Sequence, residues 1–315
     1  MSPLFLLLSA IVVGLAAGTY AAFWRALRRA DNRLTGRRKI IQTAAGTMEF
    51  ADVGTGAPVL CIHGAAGGFD QTLDMTGALA NKGYRLIAPS RFGYLQSGAP
   101  ENLTVAMQAD AYVELLDHFG IAQVAVAGIS AGAWSCLEFA IRHPDRCRAL
   151  ILLVPANALP QGVKIHGGAV ARAIFNSDFI AWIFLKLTPL LPDLLAEVML
   201  GTDPLVLRTA EPAEKARARE ILDHLLPVSR RTGGMNFDIQ TAAAPPPLAI
   251  ERIVCPVLAI SAEDDTFGTA LRARNIVSQV RNGRTIVFPT GGHALIGRHA
   301  EALREVVSFL RGLTQ

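Results

Sequence analysis

No charged side chain occurs among residues 1–24. A run of that length without charge excludes an ordinary surface helix, which keeps one polar face toward water. Cysteine is also scarce. Cys61, Cys136, Cys147 and Cys255 show neither close pairing nor metal-ligand spacing, which argues against a disulfide framework and a zinc site and predicts four buried thiols. The chain has no internal repeat, no long low-complexity segment and no dinucleotide-binding fingerprint. Solenoid and Rossmann-type nucleotide readings therefore drop out.

What is present begins with the start itself. The stretch PLFLLLSAIVVGLAAGTYAAFW is long enough to cross the hydrocarbon core, which takes about 20 apolar residues. The positive charges all come after it: Arg25, Arg28, Arg29, Arg33, Arg37, Arg38 and Lys39 against Asp31, a local charge of +6. With +4 on the whole chain, residues from 40 onward sum to −2, so the basicity is local and gives no case for nucleic-acid binding. A cleaved signal peptide is the rival reading, but it would carry a positive segment before its apolar stretch. The placement of charge favours a single-pass membrane protein anchored through residues 3–24, with the N-terminus outside and the body in the cytoplasm.

At 315 residues the chain can hold one large domain with an insertion, or two small ones. Short β-like pieces lie at 39–43 and 48–53. Bounded apolar runs follow at 59–62, 84–88, 124–127 and 149–154, then at 257–260 and 284–288. Such runs read as strands buried on both faces. Amphipathic stretches such as 103–119 alternate with them, which means an α/β fold with a mostly parallel sheet flanked by helices. The alternation lapses between about Asn157 and Leu248, where the chain is helix-rich and apolar. The organisation expected is an anchor at 1–24, a basic juxtamembrane segment at 25–39, a core at 40–156 and 249–315, and an inserted helical cap at 157–248. A second membrane span at 179–200 is the alternative for part of that insertion; Lys186, Pro189, Pro192 and Asp193 interrupt it.

Three stretches carry chemistry. Gly128-Ile129-Ser130-Ala131-Gly132 follows one apolar run and precedes the helix-like 133–142. A serine on a sharp strand-to-helix turn needs a strained backbone, and Gly128 and Gly132 let the chain close around it. Its hydroxyl then projects from the sheet edge, with the Ala131 amide aimed where a carbonyl oxygen would gain negative charge. His63-Gly64-Ala65-Ala66-Gly67-Gly68 follows another strand; Gly64 lets the backbone come close, and the Ala65 amide can supply a second such donor. His63 reads as a structural histidine. Pro289-Thr290-Gly291-Gly292-His293 follows the last strand. The chain order nucleophile, acid, histidine belongs to one hydrolase class.

Taken together these stretches resemble the α/β-hydrolase family over about 39–313. That resemblance implies Ser130 as nucleophile, His293 as general base, and Ala65 and Ala131 as oxyanion donors. One loop departs from the family: Ser90-Arg91-Phe92-Gly93-Tyr94-Leu95-Gln96-Ser97 has serine for the first acid and leucine for the second glycine. For the triad acid, the strand end at 154–157 has no acid before Asp178, whereas the run at 257–260 leads into Ala262-Glu263-Asp264-Asp265. The family's spacing from the small residue Ala262 selects Asp265, with Asp264 one residue of register away and Glu263 facing solvent.

The reaction implied is ester hydrolysis through an acyl-enzyme, as in a carboxylesterase or lipase acting on a hydrophobic small-molecule ester. Thioesterase, lactonase and carbon–carbon bond hydrolase are the alternatives on the same machinery. A non-catalytic, membrane-anchored binding module is the alternative from another class. The reaction calls for no metal or organic cofactor.

Overall fold

The computed structural model of the chain describes residues 2–158, 176–188, 190 and 192–313. Eight strands form one sheet: β1 (Lys39–Thr43), β2 (Gly46–Val53), β3 (Ala57–Ile62), β4 (Tyr84–Pro89), β5 (Val124–Ile129), β6 (Cys147–Leu153), β7 (Val257–Ala262) and β8 (Gly283–Phe288). Their order is β1-β2-β4-β3-β5-β6-β7-β8. β2 runs antiparallel to both neighbours, and the other pairings are parallel. Each apolar run singled out above is a strand.

The period-2 geometry of a strand explains why those runs are continuous rather than alternating. Leu60, Ile62, Val126, Leu150, Leu152, Val257 and Ala259 point to one face and join one buried cluster. Val59, Cys61, Ala125, Ala127, Ile151, Leu258 and Ile260 point to the other and join a second. The first face is covered by α3 (Val105–His118), α4 (Ala133–Arg142) and α10 (Thr269–Gln279) through Tyr112, Leu115, Phe139 and Ile276. The second is covered by the end of α2 (Phe69–Thr76) and by α11 (His299–Gly312) through Met75, Leu303, Val306 and Leu310. α3 starts where it does because the Thr104 side chain accepts from the Met107 amide, satisfying a donor the helix cannot. All four cysteines are buried thiols.

Between β6 and β7 lie α5 (Asp178–Leu187), α6 (Pro192–Leu200), α7 (Pro204–Thr209), α8 (Pro212–Asp223) and α9 (Thr232–Ala243). The apolar stretch 179–200 is thus split between two short helices, with Ala181, Trp182, Leu185, Ala196 and Leu200 buried. One side of it packs against the protein, and among the described residues neither helix is long enough to cross a membrane. Of the interrupting residues, Pro189 lies outside the described residues, as do 159–175 of the expected insertion. The helices share a cluster with Ala66, Ala294 and Ile296, so they sit over the loops that follow β3 and β8.

The N-terminal stretch is one helix, α1 (Pro3–Thr35), which continues without a break across the boundary drawn at 24/25. It is long and apolar enough to cross a membrane. Its last turns dock on the body. Leu34 is buried with Ala51, Phe69 and Ala88, and Phe23 packs edge-on against Phe179 at 5.3 Å and against Trp182 at 5.7 Å.

Candidate active site

Ser130 follows β5 at the turn into a short 3-10 segment that leads into α4. Its φ is +50°, a left-handed conformation that costs a non-glycine residue about 1–3 kcal/mol. The flanking glycines make room for the turn. A Cβ on Gly128 would lie 2.7 Å from Cys136 Sγ, and one on Gly132 would lie 2.6 Å from the His63 carbonyl oxygen. Both contacts are too close for any side chain.

The loop after β8 brings His293 to that serine. His293 Nε2 lies 2.9 Å from Ser130 Oγ, and Nδ1 lies 2.8 Å from Asp265 Oδ2. The His293 amide donates to the carbonyls of Leu200 and Gly201, and the Thr266 amide also donates to Gly201. The α6–α7 connection therefore grips the histidine loop and the acid loop together. Phe267 packs edge-on to the imidazole at 4.8 Å between ring centres.

The three consecutive acids separate. Asp265 is buried and, besides facing His293, accepts from the Phe267 amide at 2.9 Å and from the Thr269 hydroxyl. Burial raises its pKa, but the charge of His293 and these hydrogen bonds outweigh burial and hold it below the ordinary aspartate value. Asp264 accepts from the Gly291 and Gly292 amides at 3.1 and 2.8 Å. Glu263 is exposed and pairs with Arg274 at 2.6 Å.

On the opposite side of Ser130 is the loop after β3. A Cβ on Gly64 would lie 2.7 Å from Ser130 Cβ, so the glycine lets the backbone carrying the Ala65 amide pass directly beside the serine. Ala131, the other expected donor, follows Ser130 in the chain. His63 is fully buried; its Nδ1 lies 2.7 Å from the Gly64 carbonyl, and its Nε2 accepts from the Arg91 amide at 2.8 Å. Burial first, then the charge of Arg91, push its pKa well below the ordinary histidine value. It is a neutral strut, not a base.

Several residues here escape a reading of the sequence. Arg91 is buried and bidentate to Asp238 on α9, at 2.6 Å for both nitrogens, and also donates to the Gly64 carbonyl at 3.0 Å. Asp70 at the start of α2 is held by buried Arg231 and by Arg33 of α1, at 2.8 and 3.0 Å. Gln71 accepts from the Gly64 amide at 2.9 Å. The only sequence signal for any of these is a charged Arg91 next to an apolar strand. Among the described residues, the one set able to hold a metal is Asp74, Glu220 and His224. It lies at the contact of α2 with α8 and shares no member with the Ser130 cluster.

The family model described as alpha/beta hydrolase fold matches residues 57–300. The chain belongs to the alpha/beta hydrolase family. This hydrolase is 26% identical over 284 residues to the uncharacterized hydrolase YcgS of Bacillus subtilis, covering 89% of this chain and 99% of the relative. The esterase of Exiguobacterium antarcticum superposes with a TM-score of 0.67 at 18% identity, over 87% of this chain and 99% of that one. A membrane phospholipase A superposes with a TM-score of 0.66 at 17% identity, over 100% of both chains. At those identities the structural likeness speaks for the fold.

Proposed function

We propose that this hydrolase is a membrane-anchored serine esterase that cleaves hydrophobic esters through an acyl-enzyme on Ser130. The observation that carries the reading is the pair of hydrogen bonds made by one imidazole, 2.9 Å to Ser130 Oγ and 2.8 Å to Asp265 Oδ2. In this reading His293 Nε2 takes the hydroxyl proton as Ser130 Oγ attacks the ester carbonyl. Asp265 holds the Nδ1–H and stabilises the imidazolium that forms. The amides of Ala65 and Ala131 receive the oxyanion of the tetrahedral intermediate. Its collapse expels the alcohol, protonated by His293. Water, activated by the same histidine, then attacks the acyl-enzyme and releases the acid.

The hydrophobic substrate is supported by what surrounds the site. Over it lie helices whose exposed apolar residues include Phe179, Ile180, Leu187 and Leu205, and α1 packs against the same helices. A fluorophosphonate probe tests the nucleophile: wild type labels covalently, and Ser130→Ala does not. Folded wild type that fails to label would end this reading. Among acyl esters of graded chain length, medium and long chains are expected to be preferred. A strong preference for short, polar acyl groups would remove the hydrophobic-substrate part.

A further inference from the structure

The Ala65 amide can serve an oxyanion only if its N–H faces Ser130, and backbone rotation could turn it away. The atom that sets its direction is the Gly64 carbonyl oxygen, which belongs to the same peptide unit. The one cis peptide among the described residues is Leu226–Pro227, so the Gly64–Ala65 peptide is trans. In a planar trans peptide the C=O and N–H point in opposite directions. Holding the carbonyl on one side therefore aims the N–H to the other.

Three donors hold that carbonyl: His63 Nδ1 at 2.7 Å, Arg91 Nη2 at 3.0 Å and the Gly67 amide at 3.3 Å. Arg91 is the charged one, and it is 1% exposed. A charged donor in a buried site makes a stronger hydrogen bond than a neutral one. The Arg91 amide also donates to His63 Nε2, which fixes the imidazole with Nδ1 protonated and pointing at Gly64. One residue thus acts on the carbonyl twice, directly and through His63. Asp238 takes the other side of the guanidinium in a bidentate pair, and its Oδ2 also accepts from the Tyr94 hydroxyl. Asp238 is on α9, in the helical insertion, whereas Gly64 follows β3.

We infer that Arg91 is a positioning residue that aims the Ala65 N–H at the oxyanion, and that Asp238 ties this aim to the helices over the site. The inference rests on the serine-esterase reading above. In the full-length protein, Arg91→Met is expected to lower kcat on a p-nitrophenyl ester on the order of 100-fold. KM should stay within about threefold, because the group lost acts in the transition state. The rate of fluorophosphonate labelling should fall in parallel. Arg91→Lys, which keeps one charged donor, should recover part of the loss. A folded Arg91→Met protein with kcat within about threefold of wild type, or with only KM raised, would overturn the inference.

Arg91→Met alone leaves Asp238 as a buried, unpaired charge, which can unfold a protein. The double variant Arg91→Met/Asp238→Leu removes both charges and is judged by the same kcat criterion. Amide hydrogen exchange separates this inference from the reading beneath it. If wild type neither hydrolyses esters nor labels, the esterase reading fails. Exchange at residues 64–67 then still decides the positioning role: about tenfold faster in the double variant supports it, and unchanged exchange sinks it.

Discussion

Glu263, Asp264 and Asp265 are consecutive and chemically alike, yet their carboxylates go to three different places. The turn after β7 sends Asp265 inward to His293, Asp264 to the amides of the histidine loop, and Glu263 out to Arg274. Asn substitution separates the first two. Asp265→Asn should lower kcat about 10⁴-fold, because an amide cannot hold the productive tautomer of the histidine. Asp264→Asn keeps one oxygen for one amide, and should lose roughly 1–2 kcal/mol of stability with a far smaller effect on turnover. Steady-state kinetics and thermal melts on both variants check the pair; equal losses of turnover would contradict the assignment. The lowered pKa of Asp265 has a sign as well. Its stabilisation is fully present above the unfolded carboxylate value of about 3.9 and is lost as pH falls through the lower folded value.

The loop between β4 and α3 shows how an element is rebuilt when its sequence departs from the family pattern. Ser90 stands where the family often has an acid, and Glu49 of the neighbouring strand β2 supplies a carboxylate. Its Oε2 accepts from the Ser90 hydroxyl at 3.0 Å and from the Gln96 amide at 3.3 Å. Leu95, at the glycine position, takes a φ of +53°, and its amide donates to the Arg230 carbonyl at 2.6 Å. Glu49 is buried, no cation lies within ion-pair distance among the described residues, and burial raises its pKa. With a folded value above the unfolded one of about 4.3, its contribution is greatest below that pH and is lost as pH rises through the folded value. Glu49→Gln keeps an acceptor and removes the ionisation. Its melting temperature relative to wild type should therefore rise more at pH 8 than at pH 4; an equal difference at both would refute the ionisation argument. The strands themselves were legible because burial on both faces leaves an apolar run in the sequence. The Glu49–Ser90 and Arg91–Asp238 pairs were not, because each joins residues far apart in the chain that no local pattern links.

Across the whole molecule the dominant feature is how α1 leaves the body. Residues 3–21 precede its first packed side chains, Ala22 and Phe23, and 19 residues of helix rise about 28 Å. That matches a hydrocarbon core of about 30 Å. Of the seven positive charges after this stretch, Arg33 turns inward to Asp70 and Lys39 pairs with Asp52, whereas Arg25, Arg28, Arg29 and Arg37 are exposed. The full-length protein should stay in the membrane pellet after alkaline carbonate and be released by detergent. Release by carbonate would exclude α1 as an integral anchor. A reporter fused after Gln315 should read out as cytoplasmic, and an external signal would reverse the proposed orientation.

Patterns carried by neighbours in the chain needed no coordinates: the uncharged start, the strand runs, and the serine, glycine and histidine turns at strand ends. Each is a local consequence of solvent exclusion or backbone sterics, and local physics writes itself into contiguous residues. The resemblance already pointed to Asp265 and the sequence to a structural His63, but the separate partners of the three acids, the contacts that hold His63, and the buried Arg91–Asp238 and Asp70–Arg231 pairs required the folded chain. Their partners are set by which loops the sheet order brings together. A buried charge is stable only where its counter-charge arrives, and that arrival is a property of the assembled fold.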